Sequence, residues 1–204
     1  MANLEKLVRP QSLFDEYLDL AKKDAIDFFK NVTYNDINCP LCNENGEFYV
    51  QKHSFIYKKC KKCDTIYVSP RPIKIAFDNY YKDSPSTKFW ATKFYKETEN
   101  ARRKKLWIPK AKKISQIIKK TQLHNKIKNI IDIGGGYGVF DEEIINFINI
   151  KPFIIEPSIH LSKICKKKGF NVLEKVIEDV KRDELPNGSS CFVSFELFEH
   201  LHDP

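Results

Sequence analysis

No stretch of this 204-residue chain approaches a membrane span of roughly 18–20 apolar residues, although 42% of it is hydrophobic. The opening segment, MANLEKLVRPQSLFDEYLDLAKKD, lacks both the apolar run and the small-residue cleavage site of a secretory signal. These absences argue against a membrane partner and leave a cytoplasmic protein as the default. Internal repeats and low-complexity tracts are missing too, so solenoids and disordered tails are excluded. Glycine is scarce, seven in all, and four of the seven fall between positions 134 and 138. The net charge of +8 would suit a polyanion, but the basic residues are scattered as RRKK at 102–105, KK at 119–120 and KKK at 166–168. They form no single stripe interleaved with aromatics, which places nucleic acid second among partners.

The six cysteines divide four and two. Cys39, Cys42, Cys60 and Cys63 make C-P-L-C, then 17 residues, then C-K-K-C. Two such knuckles can bring four thiolates around one tetrahedral Zn²⁺, and a closed sphere of four sulfurs makes that zinc structural. Two disulfides or four free thiols are the competing readings, and a cytoplasmic chain disfavours the disulfides. Each knuckle needs a tight turn after its second cysteine, where Asn43 and Asp64 tolerate the left-handed conformation. EFYVQKHSFIYKK, between the knuckles, predicts a two-stranded hairpin. His53 lies on it and is expected to be a surface or packing residue. Cys165 and Cys191 are expected as small buried apolar side chains.

IIDIGGGYGVF at 130–140 reads as a buried strand that ends in an acid and turns through glycines into a helix. Asp132, Gly134, Gly136 and Gly138 fall in D-x-G-x-G-x-G. Glycine permits positive φ and close approach to a ligand, and the following helix start offers free N–H groups. A dinucleotide fingerprint would put its third glycine at 139, which is Val139. A ligand-free turn is the bland alternative. PFIIEPS at 152–158 predicts a second strand ending in Glu156, placed for two ribose hydroxyls, with Ser158 as the cap of the next helix. CFVSF at 191–195 predicts a further strand, leading into ELFEHLHDP.

With these motifs in view, residues 129–204 resemble the first half of a class I S-adenosylmethionine-dependent methyltransferase. DIGGGYG resembles the family's first motif, IIEPS its second and FELFEHLHDP its post-strand-four motif. The acid that the family carries just before strand four is Cys191 here. The resemblance implies an α/β, Rossmann-like sheet in the order 3-2-1-4. It implies cofactor contacts from Asp132, Gly134, Gly136, Gly138, Glu156 and Glu196. Glu178 and Asp179 are adenine-side candidates, with a solvated acidic loop as the alternative. Residues after strand four face the reacting methyl group in this family, which brings forward Glu196, Glu199, His200 and His202. His200, with an ordinary pKa of about 6.5, is the candidate base or acceptor-orienting group, beside Glu199. A helix start with no chemical role is the alternative. A complete domain of this type continues past strand four, so the sequence reads as truncated. CFVSF is then an open edge for a partner, an oligomer or the rest of a longer product.

Four segments follow: an N-terminal helical segment (1–35), a zinc ribbon (36–72), a helical connector and cofactor cover (73–128) and the N-terminal half of the Rossmann-like domain (129–204). In the first, Leu13, Tyr17, Leu20, Ala21, Phe28 and Phe29 form a helical stripe. In the third, the aromatics from Phe77 to Tyr95 either cover the cofactor or form an ordinary helical core. Residues 105–122 predict an amphipathic helix that Pro109 confines to the residues after it. The leading expectation is an S-adenosylmethionine-dependent methyltransferase acting on a small-molecule acceptor. The layout of ribbon, V-S-P-R-P, tyrosine pair and glycine loop resembles bacterial enzymes of sugar and polysaccharide modification. The alternatives are an RNA methyltransferase gripping its substrate with ribbon and lysines, and a non-catalytic binding module of zinc ribbon and half sheet.

Overall fold

The fold is described from a computed structural model, for residues 2–121 and 125–203, with side chains from residue 4 onward. Gln122, at the end of the expected amphipathic helix, and Pro204, at the end of the post-strand-four motif, lie outside the described residues. The chain divides into two compact units, one of residues 2–16 and Lys88–Phe198, the other of Tyr17–Thr87 and residues 199–203. This division cuts across the four segments read from the sequence. Short helix α1 (Ala2–Val8) and longer α2 (Gln11–Asp27) begin the chain.

The first unit is built on four parallel strands: β6 (Asn129–Ile133), β7 (Phe153–Ile155), β8 (Asn171–Leu173) and β9 (Ser190–Ser194). Their order is β8-β7-β6-β9, which is 3-2-1-4 in order of appearance, as the sequence implied. Ile131 pairs with Phe153 on one side and Phe192 on the other. Between the strands run α7 (Val139–Ile145) and α8 (Ile159–Lys167). Fully buried Ile130 and Ile131 in β6 with Ile154 and Ile155 in β7 give the near-continuous apolar run of a parallel sheet covered on both faces. On one flank Trp107, Ala111, Val139, Phe140, Ile144 and Val193 close around Ile130. On the other, Cys165 and Phe170 close around Ile154.

A helical run from Pro85 to Lys120 supplies Trp107 and Ala111. It comprises α4 (Pro85–Phe89), a π-helical turn at Trp90–Phe94, α5 (Tyr95–Arg102), a second π turn at Arg103–Trp107, and α6 (Ile108–Lys120). The sequence confined regular helix to the residues after Pro109, yet the chain is helical before it as well. Proline offers no N–H and its ring collides with the carbonyl four residues back. The wider π turn that precedes Pro109 relieves that collision without ending the helix.

The second unit carries the cysteines on a three-stranded antiparallel sheet of β2 (Gly46–Lys52), β3 (Phe55–Cys60) and β4 (Ile66–Val68). The predicted hairpin is present, and β4 adds a strand to it. Strands β1 (Tyr34–Asn35) and β5 (Arg71–Pro72) pair with each other and join the two ends of this segment. Phe29, just past α2, is buried against the rings of Phe55, Phe77 and Tyr80 at 5.2, 5.1 and 5.6 Å. Phe77 and Tyr80 come from α3 (Lys74–Asp83), so in this unit the expected aromatics form ordinary core. Among the described residues no helix is long and apolar enough to cross a membrane.

Candidate functional site

Cys39, Cys42, Cys60 and Cys63 present four Sγ atoms that all lie within 4.8 Å of one another. Three of the separations are 3.5 Å (39–63), 3.5 Å (42–60) and 3.4 Å (42–63). A disulfide would need about 2.05 Å. Four sulfurs about 2.3 Å from a central Zn²⁺ stand roughly 3.8 Å apart, so the cluster is near metal geometry as it stands.

The knuckles repeat each other. Asn43 N–H donates to the Cys39 carbonyl and Asp64 N–H to that of Cys60, while Cys39 and Cys60 N–H donate to the carbonyls of Glu44 and Thr65. Asn43 (φ 57°) and Asp64 (φ 61°) take the left-handed conformation that the sequence required of them. The Thr65 hydroxyl and backbone hold the Cys63 thiol down to about 6, while Cys42, despite the lowering hydrogen bond from the Glu44 backbone, is pushed up to about 12 by burial and the neighbouring thiols. His53 is at the exposed hairpin tip and does not belong to the cluster. The four cysteines could hold a metal such as zinc, and the set is compatible with a ribbon.

In the other unit the strand order reverses at β6, whose neighbours β7 and β9 continue the chain to either side. In open α/β sheets the crevice beyond the carboxyl ends of such strands is where ligands bind. The loop Gly134–Gly138 lies there. Gly138 takes φ 71° at the entry to α7. Gly135 is needed for room, because a Cβ would stand 2.6 Å from Ile154 Cγ2. The tight loop thus reflects packing on β7.

Three buried acids surround the loop. Asp132, one residue before the end of β6, is 2% exposed; Asp141 in α7 is fully buried; Glu156 follows β7 and is 6% exposed. The Asp132 Oδ1 atom and both Asp141 oxygens have no partner among the described residues. Burial, then the neighbouring Asp141 charge, pushes Asp132 well above the ordinary carboxylate range. Burial likewise pushes Asp141 up to about 7. Two ionised carboxylates have no donor to share, but one retained proton turns their contact into a hydrogen bond.

Glu156 is also raised to about 7 by burial, against the lowering effect of the Ser158 and Gly136 N–H groups. Those groups donate to its two oxygens at 2.9 Å each. A carboxylate oxygen keeps a second lone pair, so Glu156 ties the loop to the following helix and can still accept from a ligand. Ser158 caps α8 as expected, accepting from Leu161 N–H at 3.4 Å. Cys165, buried as predicted, reaches the Gly136 carbonyl at 3.3 Å.

Of the remaining predicted residues, Glu196 follows β9 with φ 54°, an uncommon conformation for a side chain-bearing residue. Its carboxylate is 3.2 Å from Lys110 Nζ. Burial raises it, but Lys110, Arg102 and Arg9 outweigh that and leave it lowered. Glu178 and Asp179 lie exposed in a 3-10 turn after β8. Cys191, expected as a buried small side chain, is half-buried in β9. Glu199 and His200 are exposed and belong to the other unit. There the His200 Nδ1 atom lies 3.3 Å from the Tyr81 hydroxyl. His202 packs on Phe77 at 5.6 Å and donates from Nε2 to the Pro72 carbonyl at 3.0 Å, while Arg71 donates to the His202 carbonyl.

Sequence reasoning missed Asp141 as a neighbour of the loop and Arg102 as a neighbour of Tyr95, which it had offered as a cofactor cover or ordinary core. Tyr95 stacks on Tyr137, with ring centroids 5.4 Å apart and planes at 7°, and its hydroxyl stands 3.2 Å from where a Gly136 Cβ would be. Asp141 was findable in principle, since it lies three residues into the helix that the loop feeds. Compared with known proteins, the chain matches no protein-family model and no curated protein.

Proposed function

We propose that the parallel-sheet unit binds S-adenosylmethionine in a Rossmann-like arrangement and that the protein transfers its methyl group to a small-molecule acceptor. A sugar or polysaccharide precursor is the leading class, on the layout of ribbon, connector and tyrosine pair. The observation that carries the reading is the buried acid pair Asp132 and Asp141 beside the glycine loop, whose oxygens find no donor among the described residues beyond the proton they share. Buried carboxylates lacking donors fit a ligand that brings its own, and the cationic donor end of S-adenosylmethionine does so. When bound, this cofactor supplies a methyl group activated by its sulfonium. Asp132 would take the ammonium, Glu156 the ribose hydroxyls through its remaining lone pairs, and Gly134, Gly136 and Gly138 the close backbone approach. Glu196, Glu178 and Asp179 keep their places as further cofactor contacts.

His200 and Glu199 remain the proposed base and acceptor-orienting group. An imidazole can take an acceptor's proton, and the Tyr81 hydroxyl lies 3.3 Å from Nδ1. A structural Zn²⁺ on the four cysteines is proposed with it. Asp132→Ala and Glu156→Ala should each weaken S-adenosylmethionine binding at least tenfold while circular dichroism stays native. Unchanged affinity in both would remove the site assignment.

A second reading has one observation in its favour. Phe48 and Tyr49 on β2 are 67% and 53% exposed, close in sequence to exposed Lys52, as rings on which bases could stack. An RNA substrate would then bind with affinity that falls steeply as salt rises.

A further inference from the structure

Arg102 closes α5 with 4% of its surface exposed. A guanidinium carries five N–H donors and keeps its charge at any accessible pH. Burying it is costly unless an anion or a full set of acceptors meets it. Among the described residues Arg102 has no carboxylate within ion-pair distance, and its Nε has no partner. Nη1 reaches the Val8 carbonyl only at 3.5 Å, the outer limit of a hydrogen bond. The guanidinium carbon stands 5.2 Å from the centroid of the Tyr95 ring. Tyr95 is the residue whose hydroxyl meets the glycine loop at Gly136, so one ring touches both.

The neighbourhood is positive. Arg102, Arg9 and Lys110 all act on Glu196; Lys110 is paired with it, and Arg9 rests over Phe14 at 5.6 Å. Beside the loop, buried Asp132 and Asp141 are acidic and have oxygens with no partner among the described residues. A molecule that answers both deficits carries a cation and a carboxylate close together, as the α-amino-acid end of S-adenosylmethionine does. A guanidinium with no carboxylate at ion-pair distance and an acid pair with no outside donor among the described residues are more specific together than either alone.

We propose that Arg102 binds the carboxylate of the cofactor's amino-acid end, as a charge-assisted and potentially bidentate contact. This rests on the reading of the unit as a site for S-adenosylmethionine. It makes Arg102 the residue that separates the intact cofactor from decarboxylated S-adenosylmethionine, which keeps the sulfonium and the amine and lacks only the carboxylate.

The test is calorimetric titration of the zinc-loaded chain with both compounds. Wild-type protein should bind the intact cofactor about tenfold to a hundredfold more tightly, the range of a hydrogen bond to a charged group. Arg102→Gln should lose that preference while binding the decarboxylated compound as wild type does. Arg102→Lys, which keeps the charge and removes the fork, should show a preference in between and guards against a folding effect. Equal affinity of wild type for both compounds would overturn the assignment and leave the cofactor reading standing. A preference undiminished in both variants would overturn it as well, by giving the carboxylate to another group. Binding of neither compound would overturn both readings.

Discussion

Asp141→Asn tests the buried acid pair without changing its shape. The native carboxyl titrates near 7 against an ordinary 3.8. Between about pH 4 and pH 7 the folded state therefore holds more protons than the unfolded chain, and stability falls as pH rises through that window. Thermal melts of the zinc-loaded protein should give a lower Tm at pH 8 than at pH 6, and Asp141→Asn should raise the pH 8 value and flatten the profile. A wild-type Tm that rises from pH 6 to pH 8 would contradict the acid pair. Gly135→Ala is expected to destabilise by about 1–3 kcal/mol, an overpacking cost, because its Cβ meets Ile154 Cγ2 at 2.6 Å. A Tm loss of about 2–4 °C per kcal/mol would report it. At this scale the sequence showed Asp132, the glycines, Glu156 and the four cysteines, because spacing along the chain sets their neighbours. Asp141 and Arg102 were hidden, because their meaning comes from what lies across from them in space.

The cysteine-bearing sheet has little apolar core of its own. Besides the cysteines, its buried cluster is little more than Tyr67, with Ile37 partly buried, which is too small to stabilise three short strands alone. Metal binding in such modules is folding free energy, about 10–16 kcal/mol in zinc-finger peptides. Metal analysis of protein purified without added zinc should give about one zinc per chain, on the four-thiolate argument. Chelation should abolish the ribbon's amide protection in hydrogen exchange and leave that of β6 and β7 intact. Equal loss in both would contradict a local role for the metal. Strands β6, β7 and β9 were legible as apolar runs with an acid or a motif at their ends. β4 is three residues long, too short for alternation to show. The π turns arise from reconciling Pro109 and the neighbouring helices with the core, which no local pattern encodes.

On the scale of the whole molecule, two units share one chain in a way that sequence order does not reveal. Residues 2–16 belong with Lys88–Phe198, and residues 199–203 belong with the cysteine-bearing unit. Val8 joins Arg102, 94 residues away in sequence, and His202 joins Pro72 across 130; contacts so distant in sequence are set by tertiary packing and leave no periodic trace. The proposed cofactor chemistry belongs to the parallel-sheet unit. This claim is central, since without the cofactor the acceptor question does not arise. Calorimetric titration of the zinc-loaded chain with S-adenosylmethionine, and separately with NAD, tests it most directly. Saturable binding of S-adenosylmethionine alone is the predicted result; binding of NAD instead, or of neither, would contradict it.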